Sequence, residues 1–126
     1  RTPAEYALID QWTLFAVTSV EPSAVEIMYI QRDGNEGTPE GEAAIGIAAE
    51  KLRRPLRRLE AHLARHSHLV ADRFTVADLN LAECLRYAQG HPTLLGEFPA
   101  VKKWLEACQS RPAFKKMWAA RMAEPA

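Results

Sequence analysis

The sequence predicts an all-α fold: a bundle of five or more helices forming one domain over residues 1–126. Three observations predict it. Ile45, Ala48, Leu52, Leu56, Leu59 and Leu63 recur at intervals of three and four, which lines one face of a helix. Thr2 with Glu5, and Thr75 with Asp78, have the Thr-x-x-acid spacing of a box that satisfies the free N–H groups at a helix start. No apolar run has both the alternation of a strand and a second strand to pair with.

The first helix opens at Pro3, whose fixed φ and missing N–H suit the first helical position. Leu8, Ile9, Trp12, Phe15, Ala16 and Val20 give it a broad apolar face. Pro22 is expected to kink or interrupt it. Residues 24–30 (Val25, Ile27, Met28, Ile30) also permit a short strand, but the want of a partner strand favours helix. Asp33-Gly34 and Asn35 with Gly37 mark a loop. Thr38-Pro39-Glu40 opens the second long helix. Pro55 lies inside its stripe, at a cost of about 3 kcal/mol relative to alanine unless the helix bends, so a bend is expected near Lys51–Pro55.

After a polar turn over Ser67–Asp72, Thr75 caps a third helix, with Phe74 and Leu79 placed to form a hydrophobic staple. Its expected end is Gln89, before Gly90 and Pro92. A fourth helix starts near Pro99 and carries Val101, Trp104, Leu105 and Cys108. Ser110-Arg111-Pro112 breaks it. A fifth helix comes next with Phe114, Met117, Trp118 and Met122, and the tryptophans and methionines read as core.

Composition narrows the function. Sixteen basic and 16 acidic residues leave no formal net charge, against the basic excess of a nucleic-acid binder. No apolar run approaches the roughly 20 residues of a membrane span, and the opening residues lack a signal-peptide pattern. A cytoplasmic protein is expected. Cys84 and Cys108 form no CxxC pair and read as reduced thiols or as one incidental bridge. The start at Arg1-Thr2-Pro3 suggests a piece of a longer protein or a processed product.

The segment Ala71-Asp72-Arg73-Phe74-Thr75-Val76-Ala77-Asp78-Leu79-Asn80-Leu81-Ala82 resembles the signature of the glutathione transferase C-terminal domain. Phe98-Pro99 through Trp104, then Arg111-Pro112-Ala113-Phe114, is similar to the last two main helices of that family. Gln11-Trp12, Phe15 and Glu21-Pro22 are similar to the first helix of many members. One departure is Ala71, where the family commonly has glycine, which adopts a left-handed turn more easily than alanine.

The resemblance implies a longer parent with a thioredoxin-like N-terminal domain that holds glutathione, the co-substrate, as a reactive thiolate. No cofactor is expected in this chain, nor a catalytic residue, so alone it should not conjugate glutathione. Its expected role is the wall of the site for a small hydrophobic electrophile, plus part of a homodimer interface made by the first two helices. By position, Trp12, Phe15, Ser19, Glu21 and Tyr87 are the candidate wall residues. Each of the first four also has a bland reading: core packing for Trp12 and Phe15, a solvated hydroxyl for Ser19, a surface charge for Glu21. Thr75 and Asp78 read as structural, with capping as the whole explanation of the carboxylate. The alternative is a non-catalytic protein-interaction module of the same fold.

Two other clusters stand out. Arg53, Arg54, Arg57, Arg58 and Arg65 suit anions, but Glu50 and Glu60 balance them as an ordinary solvated face. His62 and His66, with His68 nearby, have helical ligand spacing but lack a third and fourth ligand, so no metal is expected.

Overall fold

A computed structural model describes residues 2–125. Six α-helices account for most of it: α1 (Pro3–Phe15), α2 (Glu21–Arg32), α3 (Pro39–Leu63), α4 (Val76–Arg86), α5 (Pro99–Gln109) and α6 (Pro112–Met122). Among the described residues there is no strand, only an isolated bridge between Val70 and Arg73. No helix is long and apolar enough to cross a membrane.

The start of α1 is the predicted box: Thr2 Oγ1 accepts from the Glu5 N–H at 3.2 Å, and Glu5 accepts the Thr2 N–H at 2.8 Å. Pro22 does not break the helical run. The chain stays helical from Pro3 to Arg32 because a π turn over Ala16–Val20 takes in one extra residue. The Glu21 N–H reaches back five residues to Ala16. Widening the turn ahead of Pro22 gives room where its ring would otherwise meet the preceding turn, and its missing N–H falls in the first turn of α2. Residues 24–30 are helix.

Thr38 caps α3 by accepting from the Gly41 N–H at 3.0 Å, while its hydroxyl donates to the Asn35 carbonyl at 2.8 Å. Gly41 is needed there, since a Cβ would run into the Asn35 carbonyl. From this start α3 passes unbroken through Pro55. Its stripe is buried from Ala48 through Leu52, Leu56 and Leu59 to Leu63. The core closes on that stripe with Ile27 from α2, Leu81 and Leu85 from α4, Leu94, and Val101 and Leu105 from α5. Cys84 and Cys108 are buried, free thiols.

Three details depart from the expectations above. Helix α4 ends at Arg86 rather than Gln89, because Ala88 and Gln89 donate to Leu85 and Arg86 three residues back and tighten the last turn. Helix α5 draws no side-chain cap from its own first residues; Glu60 on α3 supplies it, accepting from the Ala100 and Val101 N–H groups at 2.8 Å each. Glu50 does balance an arginine (Arg53, 2.8 Å), but Glu60 faces α5 instead. Helix α6 buries no residue: Trp118 is half-buried and Met117 and Met122 are exposed, so its apolar residues are not core. They meet too few neighbours within the described residues to be covered.

Candidate functional site

The signature segment forms a sharp turn and then the start of α4. Ala71 and Asp72 both take left-handed backbone, with φ of 55° and 48°. This is the conformation that favours glycine at position 71. The turn is held by Asp72, which accepts from the Ser67 N–H at 3.1 Å and pairs with His66 at 3.2 Å. The hydrogen bond from His66, and then that from Ser67, hold the Asp72 carboxyl below the usual carboxylate range.

Past the turn, Asp78 is fully buried. One oxygen accepts from the Thr75 N–H at 2.9 Å, completing the box. The other accepts from the Leu69 N–H at 3.2 Å and from Trp104 Nε1 on α5 at 2.9 Å. Capping therefore explains only part of this carboxylate. It also ties the incoming loop and α5 to the first turn of α4, which is a structural role. Phe74 and Leu79 both line a cavity beside α6, and Leu79 leaves about half its surface exposed.

Three contacts set α4 against the first helical run. Arg73 pairs with Glu5 at 3.0 Å, Asn80 Nδ2 donates to Thr13 Oγ1 at 3.1 Å, and the Cys84 thiol donates to Glu21 at 3.4 Å. The residue numbers rise together on both sides, so the two run parallel. Hydrogen bonding to Arg73 and to the Thr2 backbone lowers the Glu5 carboxyl. Burial, helped by Glu21, pushes the Cys84 thiol up to about 12, which removes its nucleophilic thiolate at neutral pH.

The five predicted wall residues do not form one cluster. Trp12 is 7% exposed and packs edge-on against Phe15 at 5.3 Å, with the His62 ring of α3 tilted against it at 5.0 Å. Arg58 lies 5.8 Å from each of those two aromatic rings, Trp12 and Phe15. Glu21 and Tyr87 belong to the other side, where α2 meets the end of α4. Glu21 accepts the Cys84 thiol hydrogen bond, and Tyr87 stands one turn beyond Cys84 under the Arg86 guanidinium at 5.0 Å. Ser19 is exposed on the π turn. His62 and His66 stack at 4.6 Å, with their nitrogens directed to the His68 carbonyl and to Asp72.

An exposed apolar band lies outside the set of predicted wall residues. Leu14 and Val17 on the first run, and Val76 and Leu79 on α4, are all more than two-fifths exposed. Thr13 and Asn80, whose side chains join the two helices, are their immediate neighbours or lie one turn away. The signal is present in the sequence as apolar residues lying off the buried stripe of each helix.

A family profile described as "Glutathione S-transferase, C-terminal domain" matches residues 11–112, well over half of the chain. Glutathione S-transferase 3 of Zea mays is 35% identical over 122 residues, covering 93% of this chain and 54% of that protein. Elongation factor 1-gamma of Sus scrofa is 27% identical over 124 residues, covering 90% of this chain and 26% of the factor. Among solved structures, glutathione S-transferase III in its apo form superposes with a TM-score of 0.82 at 35% identity, over 100% of this chain and 60% of that one. The chain thus spans about half the length of the glutathione transferases it matches. With that profile laid over the capped turn, the buried Asp78 and the helix order, the chain belongs to the glutathione S-transferase family, as a C-terminal helical domain.

Proposed function

We propose that the whole chain, residues 1–126, works as one helical domain of a cytoplasmic, dimeric glutathione transferase that joins glutathione to small hydrophobic electrophiles, in the manner of detoxification. A thioredoxin-like domain of the same parent holds the glutathione. The observation that carries this reading is the exposed band of Leu14, Val17, Val76 and Leu79 in a domain that is about half the length of its relatives. Apolar surface gathered along one seam marks an interaction face, and a second domain is the partner that reading calls for. In the same proposal Trp12, Phe15, Ser19, Glu21 and Tyr87 contribute to the electrophile wall. Because they fall in two groups, Phe15 and Tyr87 would touch different parts of the substrate. Helices α2 and α3, with Tyr29 and Ile47 exposed, would meet the second subunit.

The experiment is conjugation of glutathione to a broad aromatic electrophile by the full-length parent. The chain alone should be inactive. Phe15→Ala and Tyr87→Ala in the parent should raise KM for the electrophile about tenfold, leaving KM for glutathione near its native value. Val17→Glu should separate the two domains in limited proteolysis. A parent with neither conjugating activity nor glutathione affinity would move the assignment to the non-catalytic interaction module.

A further inference from the structure

Charge is segregated along this chain. Residues 99–122, which form α5 and α6, hold Lys102, Lys103, Arg111, Lys115, Lys116 and Arg121 against a single acid, Glu106. They take six of the sixteen basic residues and one of the sixteen acidic ones, leaving ten and fifteen for the rest of the chain. A protein without net charge thus carries one strongly basic region. All six cations are exposed. Among the described residues none of them forms an ion pair, whereas Arg32, Arg53, Arg73 and Arg86 each have a carboxylate within 3.3 Å. Helix α6 is also the least covered helix, since it buries no residue. Its aromatic side is turned toward the end of α4: the Trp118 ring lies 4.9 Å from the Arg86 guanidinium and stacks with Phe114 at 6.0 Å. That leaves Lys115, Ala119 and Met122 as an outward stripe at helical spacing, all exposed, with Lys116 on one flank and the open edge of half-buried Trp118 on the other. The cations are spread over two helices, with about 9 Å from Lys115 to Arg121 alone, so they match an extended field of negative charge and not one small anion. The methionine and tryptophan beside them select among such fields. They suit the boundary between headgroups and acyl chains, where lysine and arginine keep their charges among the phosphates. A nucleic-acid backbone offers no such apolar layer.

We propose that the outward stripe of α6, with the basic residues of α5 beside it, is a peripheral contact for anionic phospholipid bilayers. Lys115, Lys116 and the neighbouring cations pair with headgroup phosphates, and Met122 and the edge of Trp118 enter the headgroup layer. No segment crosses the bilayer, and the contact is independent of conjugating activity.

The test is co-sedimentation of the parent protein with phosphatidylcholine vesicles, with and without about one third phosphatidylserine. The anionic vesicles should bind at least about tenfold more tightly, and about 0.5 M sodium chloride should remove the difference. The double variant Lys115→Gln/Lys116→Gln should weaken binding to them about 25-fold, at about fivefold for each cation lost from the surface. Lys51→Gln/Arg54→Gln makes the same change of net charge at two exposed positions of α3 and should leave binding within about twofold. Far-ultraviolet circular dichroism checks that both double variants are folded. Equal binding to the two kinds of vesicle, or an equal loss in the two double variants, overturns the proposal. Retention on immobilised poly-glutamate with anionic vesicles ignored overturns it too and gives the face to an acidic protein. Salt-sensitive self-association that Lys115→Gln/Lys116→Gln abolishes, again with vesicles ignored, gives it to a second copy of the chain. Loss of conjugation in the parent with vesicle binding retained would concern the conjugation reading alone.

Discussion

Removing the Asp78 carboxylate should cost the domain a large share of its stability, and the geometry sets the size. The group is 0% exposed and accepts three N–H bonds, from Thr75, Leu69 and Trp104, at 2.9, 3.2 and 2.9 Å. Asp78→Ala leaves three buried donors without a partner, each worth about 1–3 kcal/mol. Some of that is recovered where the Leu69 and Thr75 segment relaxes to admit water, so about 4 kcal/mol is expected. With an unfolding entropy of about 2.1 cal/mol/K per residue, a chain this long loses about 15 °C in Tm. Asp78→Asn should cost less, about 2 kcal/mol, because one amide oxygen still accepts while the NH2 group opposes a backbone N–H. Trp104→Phe removes a single donor and should cost about 1–2 kcal/mol in native protein, but less than that beside Asp78→Ala, since the bond is already gone. Urea unfolding of the native protein, the three single variants and the Asp78→Ala/Trp104→Phe double variant measures all of these terms. A loss under about 1 kcal/mol for Asp78→Ala, or strictly additive behaviour with Trp104→Phe, would refute the argument that this carboxylate holds α5 to α4.

Other contacts lead to three more expected outcomes. Glu60→Ala strips both N–H groups at the start of α5 of their acceptor and should cost about 1–2 kcal/mol, with Glu60→Gln recovering part of it, as read by thermal unfolding. Ala71→Gly relieves a left-handed alanine at φ 55° and should raise stability by about 0.5 kcal/mol net of the unfolded-state entropy, whereas Ala71→Val should lower it; urea midpoints read both. His91 Nδ1 accepts from the Thr93 and Leu94 N–H groups at 3.2 and 3.0 Å, which only the unprotonated nitrogen can do. Burial first, then Arg53, lowers its pKa below 6.5 in the folded protein. The unfolded chain therefore takes up the proton first as pH falls, so this contribution is whole above about 6.5 and declines below it. The urea midpoint should drop as pH falls through about 6.5, and His91→Asn, which keeps an acceptor, should flatten that portion of the curve. Carboxylates lowered by their partners, Glu5, Asp72 and Glu97, add their own loss only at lower pH, below about 4.5.

What is legible in the sequence is what a short window contains. The Thr2–Glu5 and Thr75–Asp78 boxes are local, and so is the α3 stripe, and all of them form as the spacing predicts. Pro22 is legible as a disturbance but not as a π turn, because whether a helix breaks or takes in an extra residue depends on the packing of Ala16, Val20 and Ala24, all fully buried. Glu60 reads in the sequence as a partner for arginines on its own helix. Its real partners are 40 and 41 residues away, and nothing local announces them. Trp104 and Leu69 are likewise invisible in the sequence as partners of Asp78. In α6 the apolar residues have helical spacing, yet spacing says which side they share and not whether anything covers that side. The wall residues show the same limit. Trp12 and Phe15 are one turn apart and come together, while Glu21 meets Cys84, one turn before Tyr87, only through the fold.

The parallel seam between the first run and α4 shows why the cap at Thr75 has consequences beyond its own helix. From Glu5 to Glu21 the first run advances 16 residues, about 24 Å at helical rise. On the facing side, Arg73 to Cys84 is 11 residues and would cover only about 16 Å if all were helical. The three steps from Arg73 to Val76 are instead non-helical, with Thr75 extended; at up to about 3.3 Å each, and with the eight helical steps to Cys84 adding about 12 Å, that side reaches about 22 Å in all. The two sides then match closely enough for the pairs Glu5–Arg73, Thr13–Asn80 and Glu21–Cys84 to form together. Starting α4 one residue earlier would exchange an extended step for a helical one and shorten that side by about 2 Å, enough to pull one of the three pairs apart. The cap is thus the point that sets the register of α4 against α1, and with it the spacing of Val76 and Leu79 from Leu14 and Val17. On the proposed docking face, Thr75→Ala should therefore weaken domain packing by more than its effect on α4 alone, with Val17→Glu as the comparison, both read by proteolysis of the parent protein.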